Sequence, residues 1–319
     1  MRVAIIGARW ADIDVECEVL GLAEDEVSRD PGTTMEGIVA AAKDAQVILS
    51  GPRARFDAAT IDQLTGEGIV RYGVGYENID VAAADRCGMI VAYVPDYGTE
   101  AVAFHTVALA LAALRRIPMA DTLVKAGTWD VGTVRPLHLP GALKVGVVGF
   151  GRIGRRAAGL FAGLGFGEVL AHDAFTTADA PDVTAVPLPR LLSDSDLVSL
   201  HASAATNATP LIGAGELALM KPGSILVNTA RGSLIDPVAL AEALRARRPA
   251  LAALDVFSPE PPDLGPLAGV LDQVILTPHV AWYTEETERE LRASTAEEAK
   301  RILEGSPVLH PVDAGRTRA

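Results

Sequence analysis

Arg231, Glu260 and His279 follow one another across 49 residues, and each is of a type that does chemistry. Arginine offers a planar fork that stays charged and grips a carboxylate through two bonds. Histidine titrates near neutrality, so it can give a proton to an oxygen that is gaining charge, or take it back. A carboxylate on the other ring nitrogen would fix the tautomer and favour the charged imidazole. Used together, the three groups suit hydride reduction of a carbonyl that sits beside a carboxylate. Taken singly, each has a plainer reading. Arg231 fits a structural loop arginine, Glu260 a residue flanking the proline-rich turn 259–262, and His279 a strand cap after Pro278.

A hydride needs a carrier, and Leu143–Asp173 has the pattern to hold one. A β-branched run ends at Gly149, and Gly149, Gly151 and Gly154 follow in G-x-G-x-x-G spacing. Gly149 allows a tight turn, Gly151 lets the backbone approach a pyrophosphate, and Gly154 lets helix and strand pack closely. The N–H groups that open the new helix, at Arg152 and Ile153, would face the anion. Asp173 comes 19 residues after Gly154, placed to accept bonds from ribose hydroxyls. That acid favours NAD over NADP, whose 2′-phosphate would meet a negative charge. Arg155 and Arg156 temper the preference, although solvated helix positions are the plainer reading.

Alternating short strands and helices must position these groups. Apolar strand-like runs occur at Val3–Ile6, Gln46–Leu49, Ile69–Tyr72, Ile90–Tyr93, Leu197–Leu200, Ile225–Asn228, Ala250–Val256 and Val274–Leu276. Helical stretches lie between them, among them a long one from Gly98 or Thr99 through Ile117. This alternation predicts parallel sheets covered by helices. His201, Arg231, Asp255 and His279 then fall just past the carboxyl ends of successive strands, which face one crevice in a doubly wound sheet. His201 fits a residue lining the cofactor pocket, or a packed histidine. Arg71, at a strand end beside the turn Gly73-Val74-Gly75, could reach a crevice of its own or sit as a surface arginine. His105, inside the long apolar helix, reads as a packed histidine.

With 319 residues, 49% of them hydrophobic, two domains are the natural expectation. A net charge of −13 argues against general nucleic-acid or membrane-surface binding. Cys17 and Cys87 make neither a disulfide framework nor a metal spacing, and are expected as buried, inert thiols. No H-E-x-x-H or clustered Cys/His spacing supports a metal, and no G-x-S-x-G supports a serine hydrolase. The N-terminus lacks a signal-peptide pattern and no stretch suits a membrane span, so a cytoplasmic location is expected.

At these residues the chain resembles the D-isomer-specific 2-hydroxyacid dehydrogenases. The motifs are RYGVGYENID at 71–80, VGFGRIG at 148–154, LMKPGSILVNTARGSLID at 219–236, ALDVFSPEPP at 253–262 and TPHVAWYTEE at 277–286. HVAWY at 279–283 is similar to the phosphoglycerate dehydrogenase-like and C-terminal-binding-protein-like branch. The resemblance implies an α/β protein of two Rossmann-like or flavodoxin-like doubly wound parallel-sheet domains with an active-site cleft between them. The substrate-binding domain would comprise 1–98 and 283–319, and the NAD-binding Rossmann domain 99–282. It implies Arg231 as substrate clamp, His279 as acid/base and Glu260 as the acid that orients it. Asp255 would lie near the nicotinamide amide and Thr229-Ala230-Arg231 along the NAD, while Val74 and Gly75 would bind the substrate carboxylate with help from Arg71. Trp282 would border the substrate pocket, or pack as an ordinary aromatic. The implied partners are a 2-oxo or 2-hydroxy acid and a second copy of the chain, paired through the NAD-binding domain. An NAD(H)-responsive binding protein with little turnover is the alternative. The family often has His-Cys-Pro-Leu-Thr where this chain has His201-Ala202-Ser203-Ala204-Ala205, and Thr206 is the nearest hydroxyl to replace the missing one.

Overall fold

The computed structural model describes residues 2–176, 180–203 and 209–313. The chain makes two compact units, Met1–Gly98 with Thr284–Ala319, and Thr99–Tyr283.

The first unit runs through β1 (Val3–Ile6), α1 (Asp14–Leu20), β2 (Val27–Asp30), α2 (Met35–Ala42), β3 (Val47–Ser50), α3 (Ala58–Ile61), β4 (Gly68–Arg71), α4 (Val81–Arg86) and β5 (Ile90–Tyr93). Its strands are all parallel, in the order β2-β1-β3-β4-β5. β1 and β3 are buried along their whole length, as strands covered on both faces must be. Thr34, Asp57 and Asp80 start their helices by accepting backbone N–H bonds at residues 37, 60 and 83.

The second unit continues with α5 (Thr99–Leu114), α6 (Ile117–Lys125), β6 (Lys144–Val148), α7 (Arg152–Gly163), β7 (Glu168–His172), β8 (Val183–Ala185), α8 (Leu188–Asp194), β9 (Leu197–Leu200), α9 (Ala214–Leu219), β10 (Ile225–Asn228), α10 (Pro237–Arg245), β11 (Leu251–Leu254) and β12 (Val274–Leu276). These seven strands form one parallel sheet in the order β12-β11-β10-β9-β6-β7-β8. Val145 and Val147 join a core with α5 and α7, while Val148 joins the core on the other face with α8, α9 and α10. Successive strand residues therefore feed opposite layers.

α11 (Glu285–Leu303) belongs to the first unit, where it packs on α1, β3 and β4. Arg292 on α11 is 5% exposed and bonds Glu16 at 2.8 Å and Asp12 at 2.7 Å. Tyr72 donates its hydroxyl to the same Glu16 at 3.0 Å. Burial, then the Glu16 charge, pushes the Tyr72 phenol well above its ordinary value, so it stays a donor. Beyond α11 the tail pairs with the sheet edge: Val312 N donates to Val91 O and Tyr93 N to His310 O. This covers part of an open edge.

Three features differ from the sequence expectation. The long helix stops at Leu114, Arg116 takes a left-handed φ of 52°, and α6 restarts at Ile117. Pro118 cannot continue an incoming helix but suits the first turn of a new one. The cysteines are not both buried: Cys17 is intermediate and Cys87, at the end of α4, is exposed. Helix ends lie at the surface, and a short helix carries its cap residue there. Finally α1, β2, α6 and α11 are elements for which no strong periodic signal stood out.

Candidate active site

The site is built on the carboxyl edge of the seven-stranded sheet. Reading along its strand order from β12 to β7, that edge presents His279, Asp255, Arg231, His201, the Gly149 turn and Asp173. Six neighbouring strands cover about 24 Å at the usual spacing, a length suited to a dinucleotide.

The glycine turn has the shape its spacing predicts. Gly149 has φ +92°, and a Cβ there would meet Ala202 N at 2.4 Å, in the loop after β9. A Cβ on Gly154 would meet Gly149 O at 2.0 Å, so turn and helix touch through backbone. At Gly151 a Cβ would meet nothing within 4 Å. Gly151 is the N-cap of α7 and supplies no side-chain bond to it. The first N–H groups of α7, including those of Arg152 and Ile153, therefore open onto space that a diphosphate fits.

Asp173 faces this turn. It accepts Phe150 N at 2.7 Å on one oxygen, and Phe175 N at 2.8 Å and Thr176 N at 2.9 Å on the other. Burial acts to raise its carboxyl, but these backbone bonds outweigh burial and hold it below the ordinary value. It is ionised at neutral pH, and its stabilising bonds are lost only as pH falls through the carboxylate range. Both arginines that tempered the NAD preference have partners, one at the start of α5 and one within the glycine turn itself. Arg156 bonds Glu100 at 2.7 Å, and Arg155 Nε donates to Phe150 O at 3.0 Å.

His201 joins the same corner, with its peptide N donating to Val148 O at 2.7 Å. Its Nε2 lies 2.8 Å from Ser199 Oγ, and burial of the ring lowers its pKa to about 4. At pH 7 it is a neutral imidazole, with one ring N–H to donate but no charge, and so not a general acid. Of the altered loop that follows, Ala204, Ala205 and Thr206 lie outside the described residues.

Arg231 stands two residues beyond Thr229, in a loop folded by Asn228. Asn228 Nδ2 donates to Arg231 O at 2.8 Å, and its Oδ1 accepts Ala230 N at 3.0 Å. A Cβ on Gly232 would meet the backbone carbon of Phe257 at 2.0 Å, so the Arg231 loop presses directly on the loop that carries Glu260. Glu260 is held in turn, with Oε1 accepting Phe257 N at 3.0 Å.

Glu260 Oε2 then lies 2.7 Å from His279 Nδ1. The ionised carboxylate only accepts, so Nδ1 carries the hydrogen and Nε2 is the position that exchanges a proton. The two side chains are 34% and 36% exposed, which leaves that position within reach of a ligand. His279 has a left-handed φ of 52°, which costs about 1–3 kcal/mol in a non-glycine residue and persists only where surroundings enforce it.

Asp255 enforces it. Fully buried, it accepts Thr277 Oγ1 at 2.6 Å, Val280 N at 2.9 Å and Ala281 N at 3.0 Å. Its main-chain oxygen also accepts His279 N at 2.8 Å. Its carboxylate thus grips the loop around His279. Trp282 closes the loop, donating Nε1 to His279 O at 3.1 Å.

In the first unit, Arg71 ends β4. Its Nε donates to Asn78 Oδ1 at 3.3 Å, and another of its nitrogens bonds Tyr72 O. Asn78 also donates to Ala54 O at 2.6 Å and lies 3.2 Å from Ser50 Oγ, joining the loops after β3 and β4. Val74 and Gly75 follow in the half-buried turn. Asn78, Asn228 and Thr277 were not singled out in the sequence. Asn228 and Thr277 share a signal, a short polar side chain at or just beyond a strand end, while Asn78 lies seven residues past β4 and has none.

Fold and edge together define a dinucleotide-binding α/β protein. Residues 107–281 match the family described as D-isomer specific 2-hydroxyacid dehydrogenase, NAD binding domain. The D-3-phosphoglycerate dehydrogenase of Archaeoglobus fulgidus is 35% identical over 292 residues, covering 90% of this chain and 55% of that one. The glyoxylate reductase of Korarchaeum cryptofilum is 37% identical over 262 residues, covering 80% of this chain and 74% of that one. The crystal structure of the TT0316 protein from Thermus thermophilus superposes with a TM-score of 0.87 at 32% identity, over 98% of this chain and all of that one. The chain belongs to the D-isomer-specific 2-hydroxyacid dehydrogenase family, and NAD is the cofactor of its second unit. It spans about half the length of the D-3-phosphoglycerate dehydrogenases it matches. Among the described residues, no helix is long and apolar enough to cross a membrane.

Proposed function

We propose that the protein interconverts a 2-oxo acid and a D-2-hydroxy acid. The observation that carries this reading is the 2.7 Å Glu260–His279 bond on the edge that also bears Arg231 and the dinucleotide turn. Bound NADH supplies the hydride. The Arg231 guanidinium holds the substrate carboxylate and so fixes which face of C2 is presented. As the carbonyl oxygen gains charge, His279 Nε2 gives it a proton, and in the oxidation it takes one away. Glu260 keeps the ring in the required tautomer and stabilises its charged form. The α7 N-terminus, with Gly151, Arg152 and Ile153, cradles the pyrophosphate, and Asp173 takes a ribose hydroxyl. Thr229, Ala230 and neutral His201 line the cofactor, while Asp255 secures the nicotinamide end by holding the His279 loop. Trp282 borders the substrate, and in the first unit Arg71, Val74 and Gly75 are the residues that the family resemblance offers to a carboxylate. The two free cysteines suit the reducing cytoplasm.

The test is oxidation of NADH, followed at its absorbance, against a panel of 2-oxo acids with short, phosphorylated and branched side chains. At least one should turn over in the range of about 1–1,000 per second, with NADPH clearly poorer. Tight NADH binding without turnover on any of them would overturn the assignment.

A second copy of the chain is proposed as the partner, paired through the second unit. No residue of α6 is buried, and Phe104, Ile117, Val124, Trp129, Val131 and Leu139 are all exposed by half or more. These large exposed apolar groups between positions 104 and 139 support the pairing. Light scattering of the purified chain should give twice the 33.3 kDa monomer mass; a strictly monomeric mass would exclude the pairing.

A further inference from the structure

Two consecutive residues of α5 each reach a different loop of the candidate site. Thr106 Oγ1 lies 2.7 Å from Thr229 Oγ1, two residues before Arg231. Thr106 gives its own proton to Val102 O at 2.8 Å, so Thr229 is the donor between them. His105 Nε2 lies 3.2 Å from Thr277 Oγ1 and 3.7 Å from Asp255 Oδ1. Thr277 has one hydroxyl proton, and the buried Asp255 carboxylate takes it at 2.6 Å. The Thr277 oxygen therefore receives a hydrogen from the ring, and His105 carries its hydrogen on Nε2.

A directed chain follows: His105 donates to Thr277, Thr277 donates to Asp255, and Asp255 holds Val280 N and Ala281 N within the His279–Trp282 turn. We propose that His105 is a positioning residue for His279, acting through Thr277 and Asp255. With the ring in place, the Thr277 hydroxyl has a single satisfactory orientation and the Asp255 carboxylate is surrounded by donors. Without it, Thr277 loses the partner that fixes its rotamer, and the hold on a residue with left-handed backbone slackens. A histidine that merely filled space would be exchanged for leucine with little consequence. The kinetic consequence rests on the proposed hydride chemistry; the placement of the imidazole does not.

The test compares His105→Leu with His105→Gln in the full chain, because a glutamine amide N–H can still reach Thr277. The leucine variant should lose about 10- to 100-fold in kcat with the KM for NADH little changed, as expected when a reacting group is held loosely. The glutamine variant should recover to within about threefold. Imidazole nitrogen NMR of the substrate-free protein gives a second reading. The His279 Nδ1 signal, assigned by its absence in His279→Gln, should move in His105→Leu and return in His105→Gln. Equal kcat in the leucine, glutamine and unaltered chains, or a His279 signal indifferent to residue 105, overturns the proposal. If the unaltered chain reduces no 2-oxo acid, the functional assignment fails by itself and the NMR comparison still decides the role of His105.

Discussion

Arg231→Ala should lower kcat/KM for the 2-oxo acid by about 10²–10⁴-fold, the effect of removing one partner from a desolvated charge pair. The loss should appear in both kinetic constants. In the proposed mechanism the guanidinium binds the carboxylate in the ground state, and by fixing the acid it also aligns C2 for the transferred hydride. Arg231→Lys restores the charge but not the fork, so it should recover only part of the loss. Asn228, which holds the loop from within, and the Gly232–Phe257 approach are untouched by either substitution. The thermal midpoint should therefore stay near that of the unaltered chain. Turnover close to normal in Arg231→Ala would remove the clamp from the mechanism.

Glu260→Gln should change the pH dependence more than the amount of folded protein. Reduction needs the charged imidazole of His279, so its rate falls as pH rises through the histidine limb. Oxidation needs the neutral ring, so its rate rises through the same limb. The carboxylate at 2.7 Å holds the Nδ1 hydrogen and supports the charged ring, and its removal withdraws that support in both directions of reaction. The variant should reduce its substrate about 10- to 100-fold more slowly, because the ring is no longer held in the required tautomer. His279→Gln should cost about 10²–10⁴-fold at every pH, with no histidine limb left. A pH–rate profile unaltered in Glu260→Gln would separate the glutamate from the chemistry.

Much of this site could be read from the chain alone, because backbone geometry leaves its mark on residue type. Gly149 and Gly154 must be glycine, since a Cβ at either meets backbone closer than 3 Å. The strands that carry Arg231, Asp255 and His279 are short apolar runs that stop where polar residues begin. What escaped notice depends on contacts between distant residues. His105 sits in an apolar helix and looks like packing material, and only the approach of Thr277, 172 positions away, makes it a donor. Asp255 stands beside a predicted nicotinamide pocket in the sequence reading. Its burial and its grip on the 277–281 loop come from how that loop turns, which no local pattern records. The α1–β2 region was silent for another reason: β2 is an edge strand with only one of its four residues buried, so its hydrophobic signal is weak.

The first unit is assembled from two ends of the chain, and this bears on how a nascent polypeptide matures. Residues 99–283 emerge as one uninterrupted stretch and hold all seven strands of their own sheet. The five strands synthesised before them cannot be sealed until α11 has left the ribosome to lie on β3 and β4 and to pair Arg292 with Glu16. Of the two units, the one whose strands are translated earlier is therefore completed later, and its bare apolar face waits longer for cover, a period in which chaperones or aggregation compete for it.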